Sequence, residues 1–140
     1  AARTLTTDRL HEAVADADAV IVALALTDET RNIVDAETLA AMRRDAWLCN
    51  VGRGGHVVTD DLVTALRTGV IAGAVLDVTD PEPLPDGHPL WELDNCVITP
   101  HVGNTPEMGL PLIADRVRVN VGRWIAGDEL IGPVDVGAGY

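Results

Sequence analysis

The stretch Val75–His101 reads VLDVTDPEPLPDGHPLWELDNCVITPH, and the fold of the chain turns on it. An apolar run ends in an acid, Asp77, and a proline-rich loop follows that carries a second acid, Glu82. A second short apolar run, Cys96 to Thr99, then delivers Pro100 and His101. Buried strands that end in a carboxylate and in an imidazole are how open α/β sheets present groups to a ligand, which sits outside the carboxyl ends of the parallel strands. A carboxylate beside a histidine also holds and tunes a general acid/base. The same residues admit a plainer reading, in which Asp77 caps a turn, Glu82 is solvated and His101 leads into a helix. The flanking sequence has to decide.

Upstream, Thr6-Thr7-Asp8 is a helix-start signal with an apolar stripe of Leu10, Ala13, Val14 and Ala17 behind it. Ala19 to Leu26 (AVIVALAL) is apolar without alternation, as in a strand covered on both faces. Asp35 caps a short helix to Met42, and Ala46 to Val51 is the next strand. Thr59 is expected to cap a helix with Asp60 and Asp61 in its first turn, and Gly69 to close it. Ile71 to Val78 and Cys96 to Thr99 are the third and fourth strands. Downstream, Thr105-Pro106-Glu107 opens a long helix with Pro at its first position, ending near Ala126 before Gly127. Helices alternating with strands over short connections predict an α/β fold, a parallel sheet with flanking helices.

Composition narrows the function. A net charge of -12 argues against nucleic acid or an anionic membrane as partner, because both need a basic footprint. Cys49 and Cys96 lie inside apolar runs and read as buried thiols of a reducing, cytoplasmic compartment. His11, His56, His88 and His101 are scattered without metal-ligand spacing, so no metal is expected. The sequence contains no serine, which excludes a serine nucleophile. Trp47, Trp91 and Trp124 are expected to be packing residues. Gly52-Arg53-Gly54-Gly55 follows a strand but has Val57 where a third glycine would be needed, so it is not the dinucleotide fingerprint. It lets backbone approach a ligand while Arg53 offers a planar bidentate donor suited to a carboxylate.

Four segments in order resemble the D-isomer-specific 2-hydroxyacid dehydrogenases. They are Leu26-Thr27-Asp28-Glu29-Thr30-Arg31, Asn50-Val51-Gly52-Arg53-Gly54-Gly55, Leu76-Asp77-Val78 with Glu82-Pro83-Leu84, and Thr99-Pro100-His101. The resemblance implies a Rossmann-like sheet, here incomplete, with the first βαβ half and most of the substrate domain upstream of residue 1. It divides the chain into a partial NAD(P)-binding domain over 1–105 and a long helix and tail over 106–140 that return toward the substrate domain. Arg53 would bind the substrate carboxylate, His101 would be the acid/base and Glu82 would hold it. Leu24, Val51, Gly52, Arg53, Asp77, His101, Val102, Gly103 and Asn104 would contact NAD or NADP. The family usually has Pro where this chain has Ala25.

The function this implies is hydride transfer between a nicotinamide cofactor and a small D-2-hydroxy or 2-oxo acid, by a cytoplasmic homodimer. By itself the chain would be inactive. The alternatives are a cofactor-sensing co-repressor, which in such proteins retains the same Arg, Glu and His, and an assembly module with no activity of its own.

Overall fold

Four short strands, β1 (Ala19–Val22), β2 (Trp47–Asn50), β3 (Gly73–Leu76) and β4 (Cys96–Ile98), pair in parallel in that order in the computed structural model, which describes residues 3–137. The register sets Val20, Leu48, Ala74 and Cys96 side by side, and Val22, Asn50, Leu76 and Ile98 likewise. Because side chains alternate along a strand, these two rows share one face of the sheet. Helices α1 (Leu10–Val14), α2 (Ala36–Ala41) and α3 (Thr59–Thr68) pack on one another in sequence, so they form a single layer. Leu39, Leu62 and Leu66 from that layer join Leu48, Ala74 and Leu76 in the core. The row on the opposite face is Ile21, Cys49, Val75 and Val97, of which Ile21 is 66% and Val97 49% exposed. Parallel sheets are ordinarily covered on both faces, and within the first unit the described helices α1–α3 cover one.

The strands are shorter than the apolar runs that announce them. Ala19 to Leu26 is continuous in sequence, yet only its first four residues pair. The reason lies next door: β2 ends at Asn50 and turns at Gly52, so Ala23 onward has no partner on that side. The Thr30 hydroxyl instead donates to the Ala25 carbonyl at 2.7 Å and bends the segment into a loop. Ile71 and Val78 are buried but lie outside the ladder of β3, and the expected Ala46–Val51 and Cys96–Thr99 strands shrink to β2 and β4. An apolar run marks burial, not pairing.

Helix starts follow local chemistry. The Asp35 carboxylate accepts the Thr38 amide at 2.9 Å and caps α2 as expected. That amide, ahead of other effects, holds the Asp35 carboxyl below its ordinary value of 3.8. A lowered folded value means that the contribution is complete above the unfolded carboxylate range and is lost as pH falls through the folded value. Asp35→Ala is therefore expected to cost about 0.5–2 kcal/mol at neutral pH. The difference from the parent should shrink in acid, below about pH 4. Urea unfolding in both conditions checks it, and a difference that does not vary with pH would assign the cost to something other than the charged cap.

Three sequence expectations are corrected here. The residue at the N-cap of α3 is Val58, not Thr59, whose hydroxyl is committed to the Asp80 carbonyl at 2.7 Å. The cysteines are half-buried rather than buried, although burial still pushes the Cys96 thiol up to about 11. The tryptophans are largely exposed: Trp47 lies against Gly73, Trp91 donates its indole N–H to the Pro85 carbonyl at 3.0 Å, and Trp124 is 75% exposed.

Residues from His101 onward form a compact unit of their own. Its helix α4 (Pro106–Ala126) begins after Thr105 and ends at Gly127, which is left-handed at φ 78°, as the sequence predicts. The chain then folds back on α4, where the Asn120 amide exchanges hydrogen bonds with the backbone N–H and C=O of Ile131 at 2.9 and 3.1 Å. Leu112, Ile113, Val117, Trp124 and Ile125 of α4 are exposed. Among the described residues no helix is long and apolar enough to cross a membrane.

Candidate active site

Each strand hands its chain to a loop at the same edge of the sheet. Val51 N–H still reaches Val22 O (3.1 Å), Asp77 N–H reaches Asn50 O (3.0 Å) and Thr99 N–H reaches Leu76 O (2.9 Å), so the residues that follow leave the sheet together. Leu24, Val51, Gly52, Arg53 and Asp77 gather there. Leu24 and Val51 are exposed apolar side chains, at 45% and 48%. Gly52 is buried between them and the loop, and a Cβ on it would stand 3.3 Å from the Leu24 carbonyl oxygen. Asp77 is 8% exposed, with its carboxylate accepting the Thr99 hydroxyl at 2.6 Å. The Asp77 carboxylate thereby links the ends of β3 and β4.

Arg53 lies in the loop after β2 with its side chain exposed, and its Nη1 donates to its neighbour's carbonyl, Gly52 O, at 2.7 Å. Its backbone is held from both sides. The buried Asn50 side chain donates to Arg53 O at 2.9 Å and accepts Gly52 N–H at 3.1 Å. The fully buried His56 ring accepts Arg53 N–H on Nδ1 at 3.1 Å. Neither Asn50 nor His56 figures among the sequence-derived site residues. The signal was there: an amide closing an otherwise apolar strand, and an imidazole between Gly55 and Val57, are buried polar groups that need partners.

Glu82 is exposed on the loop between β3 and β4, and the segments on either side of it are anchored. Val78 and Leu84 are buried before and after it, and Leu90 is buried further on. Thr59 holds the Asp80 carbonyl, and the Thr79 hydroxyl holds Pro81 O at 2.9 Å. His88 is the N-cap of a short turn, accepting Leu90 N–H at 3.2 Å. The loop meets the Arg53 loop directly: a Cβ on Gly54 would fall 1.9 Å from Thr79 O. Arg53 and the loop that carries Glu82 are therefore set by one shared contact.

His101, Val102, Gly103 and Asn104 open the second unit, all exposed. His101 has φ 54°, in the left-handed region that few non-glycine residues adopt. The Asn104 side chain lies against the buried Gly109 in the first turn of α4, 3.3 Å from where a Cβ would stand.

The model of the D-isomer specific 2-hydroxyacid dehydrogenase, NAD binding domain, matches residues 1–103. The glyoxylate reductase/hydroxypyruvate reductase of Homo sapiens is 46% identical over 93 residues, which are 66% of this chain and 28% of that protein. The crystal structure of a D-isomer specific 2-hydroxyacid dehydrogenase from Xanthobacter autotrophicus Py2, in complex with NADPH and MES, superposes with a TM-score of 0.85 at 41% identity. The alignment covers 95% of this chain and 54% of that one. An NADPH-dependent glyoxylate/hydroxypyruvate reductase from Sinorhizobium meliloti, in complex with NADP and sulfate, gives 0.87 at 32% identity, covering 95% and 43%. The chain thus spans about half, or less, of the length of these proteins. Since the match runs through all four strands and the loops that leave them, the chain belongs to the D-isomer specific 2-hydroxyacid dehydrogenases and carries part of their NAD binding domain.

Proposed function

We propose that the complete protein is an NAD(P)H-dependent reductase of small 2-oxo acids, of the glyoxylate or hydroxypyruvate class, yielding the 2-hydroxy acid, in the D form where that carbon is a stereocentre. The observation that carries this is Arg53, a guanidinium presented at the carboxyl edge of a parallel sheet on a backbone pinned at both ends. A planar fork of this kind suits a 2-oxo carboxylate. The exposed Leu24 and Val51, with side-chain-free Gly52 between them and Asp77 beside them, fit the flat nicotinamide end of a dinucleotide. The loop sequence offers no third glycine for the pyrophosphate. When bound, the nicotinamide supplies the hydride. His101 donates the proton to the alkoxide oxygen, Glu82 orients that imidazole, and Val102, Gly103 and Asn104 add backbone contacts to the cofactor.

The names of the relatives favour an enzyme over a co-repressor, and two of the similar structures hold NADPH or NADP. By the same reading these 140 residues do not turn over alone. The open sheet face and the apolar residues of α4 are surfaces for the rest of the chain and for a second protomer of a cytoplasmic homodimer.

The test is loss of NADPH absorbance with glyoxylate or hydroxypyruvate, using protein expressed from its complete reading frame. Arg53→Lys keeps the charge and loses the fork. It is expected to raise the KM of the acid about 10–100-fold, the worth of a hydrogen bond to a charged group, with a smaller change in kcat. An unchanged KM would remove Arg53 from the acid site.

A further inference from the structure

We infer that His56 is a positioning residue for the acid site, setting Arg53 through its backbone and tying it to the loop that bears Leu24. The inference rests on the reading of Arg53 as the carboxylate-binding group. The hydrogen bonds fix how the ring is used. Arg53 O already receives the Asn50 amide at 2.9 Å and the His56 backbone N–H at 3.2 Å. It lies 2.9 Å from His56 Nδ1 as well. The Arg53 N–H has Nδ1 for its acceptor at 3.1 Å, and Nε2 faces the Ala25 carbonyl at 3.3 Å. In the Nε2–H tautomer Nε2–H donates to Ala25 O and Nδ1 accepts Arg53 N–H; in the Nδ1–H tautomer the ring donates to Arg53 O instead. In either tautomer Nδ1 is bonded to the backbone of Arg53 and Nε2 lies against the Ala25 carbonyl.

The ring is 0% exposed, so no water replaces a lost bond. Ala25 follows Leu24 directly, and its carbonyl also takes the Thr30 hydroxyl at 2.7 Å. One imidazole therefore spans the loop of the cofactor rim and the loop of the acid-binding arginine. A change at His56 that spares the fold should appear in the binding of the acid.

Two polar variants divide the ring's two bonds. His56→Asn places an oxygen near the Nδ1 position, keeping the acceptor for Arg53 and giving up Ala25. His56→Gln reaches Ala25 and gives up Arg53. In the protein expressed from its complete reading frame, with glyoxylate and NADPH as probes, His56→Gln is expected to raise the KM of glyoxylate about tenfold or more. His56→Asn should stay within about threefold of the parent for glyoxylate, while the KM of NADPH should hold steady in His56→Gln and rise in His56→Asn, which frees the loop that bears Leu24. Both should melt lower than the parent by similar amounts, since each keeps one bond. Equal glyoxylate KM values in the two variants, raised or not, would overturn the inference. Arg53→Met separates the two failures. If it leaves glyoxylate kinetics untouched, the acid-site reading falls and this inference with it. If it abolishes turnover while the Asn and Gln variants coincide, only the role of His56 is lost.

Discussion

Replacing His101 by alanine is expected to lower kcat for glyoxylate reduction by about 10²–10⁴-fold, the usual worth of a general acid. The KM of NADPH should hardly change, because the contacts proposed for the cofactor are backbone or lie on other residues. The KM of the acid should move little while Arg53 remains. The backbone supplies a control. His101 sits at φ 54°, a conformation that asparagine, aspartate and histidine tolerate better than most residues. His101→Asn keeps that preference and removes the acid, so it should lose as much activity as alanine. If asparagine retained near-parent turnover while alanine did not, His101 would be present for its backbone and the proton would have to come from elsewhere. The orienting role proposed for Glu82 puts Glu82→Gln between the parent and the His101 variants, with its effect in kcat, since the amide can still hydrogen-bond but carries no charge.

How far the sequence reached depended on which physical signal each element leaves. Helix α4 was legible because both ends carry backbone constraints, Pro106 at its first position and Gly127 just past its last. The parallel α/β arrangement was legible because helices alternate with strands over short connections, but strand length was not. Pairing stops where a neighbour turns away, and the turn at Gly52 after β2 ends β1 without any mark inside Ala19–Leu26. The cap of α3 was misplaced for a related reason: Thr59 has the right chemistry for an N-cap, and a residue twenty-one positions away claims its hydroxyl. In the sequence, Arg53 and Asp77 stood out as polar residues just past apolar runs. Asn50 and His56 were passed over because their partners are main-chain atoms, and a residue that recognises backbone leaves no complementary side chain in the sequence to pair it with.

The same logic gives Gly54→Ala an effect larger than its single methyl. The added Cβ would lie 1.9 Å from Thr79 O, 2.1 Å from Thr79 C and 2.6 Å from Asp80 N, all backbone atoms that no rotamer can withdraw. Overpacking of this kind costs about 1–3 kcal/mol and can exceed that when main chain must move. The motion has a direction, since Thr79 and Asp80 lead into Glu82 and Gly54 follows Arg53. Displacing one loop from the other should separate the proposed orienting carboxylate from the proposed acid-binding arginine. Gly69→Ala is the comparison. Its φ of 67° makes alanine strained by about 1–2 kcal/mol, but nothing lies within 4 Å of the new methyl and the site is elsewhere. Urea unfolding should therefore show both variants destabilised, Gly54→Ala at least as much. Activity per folded molecule should fall only in Gly54→Ala. A Gly54→Ala protein with parent turnover, and no greater loss of stability than Gly69→Ala, would mean that the two loops can part without consequence and that their contact does not build the site.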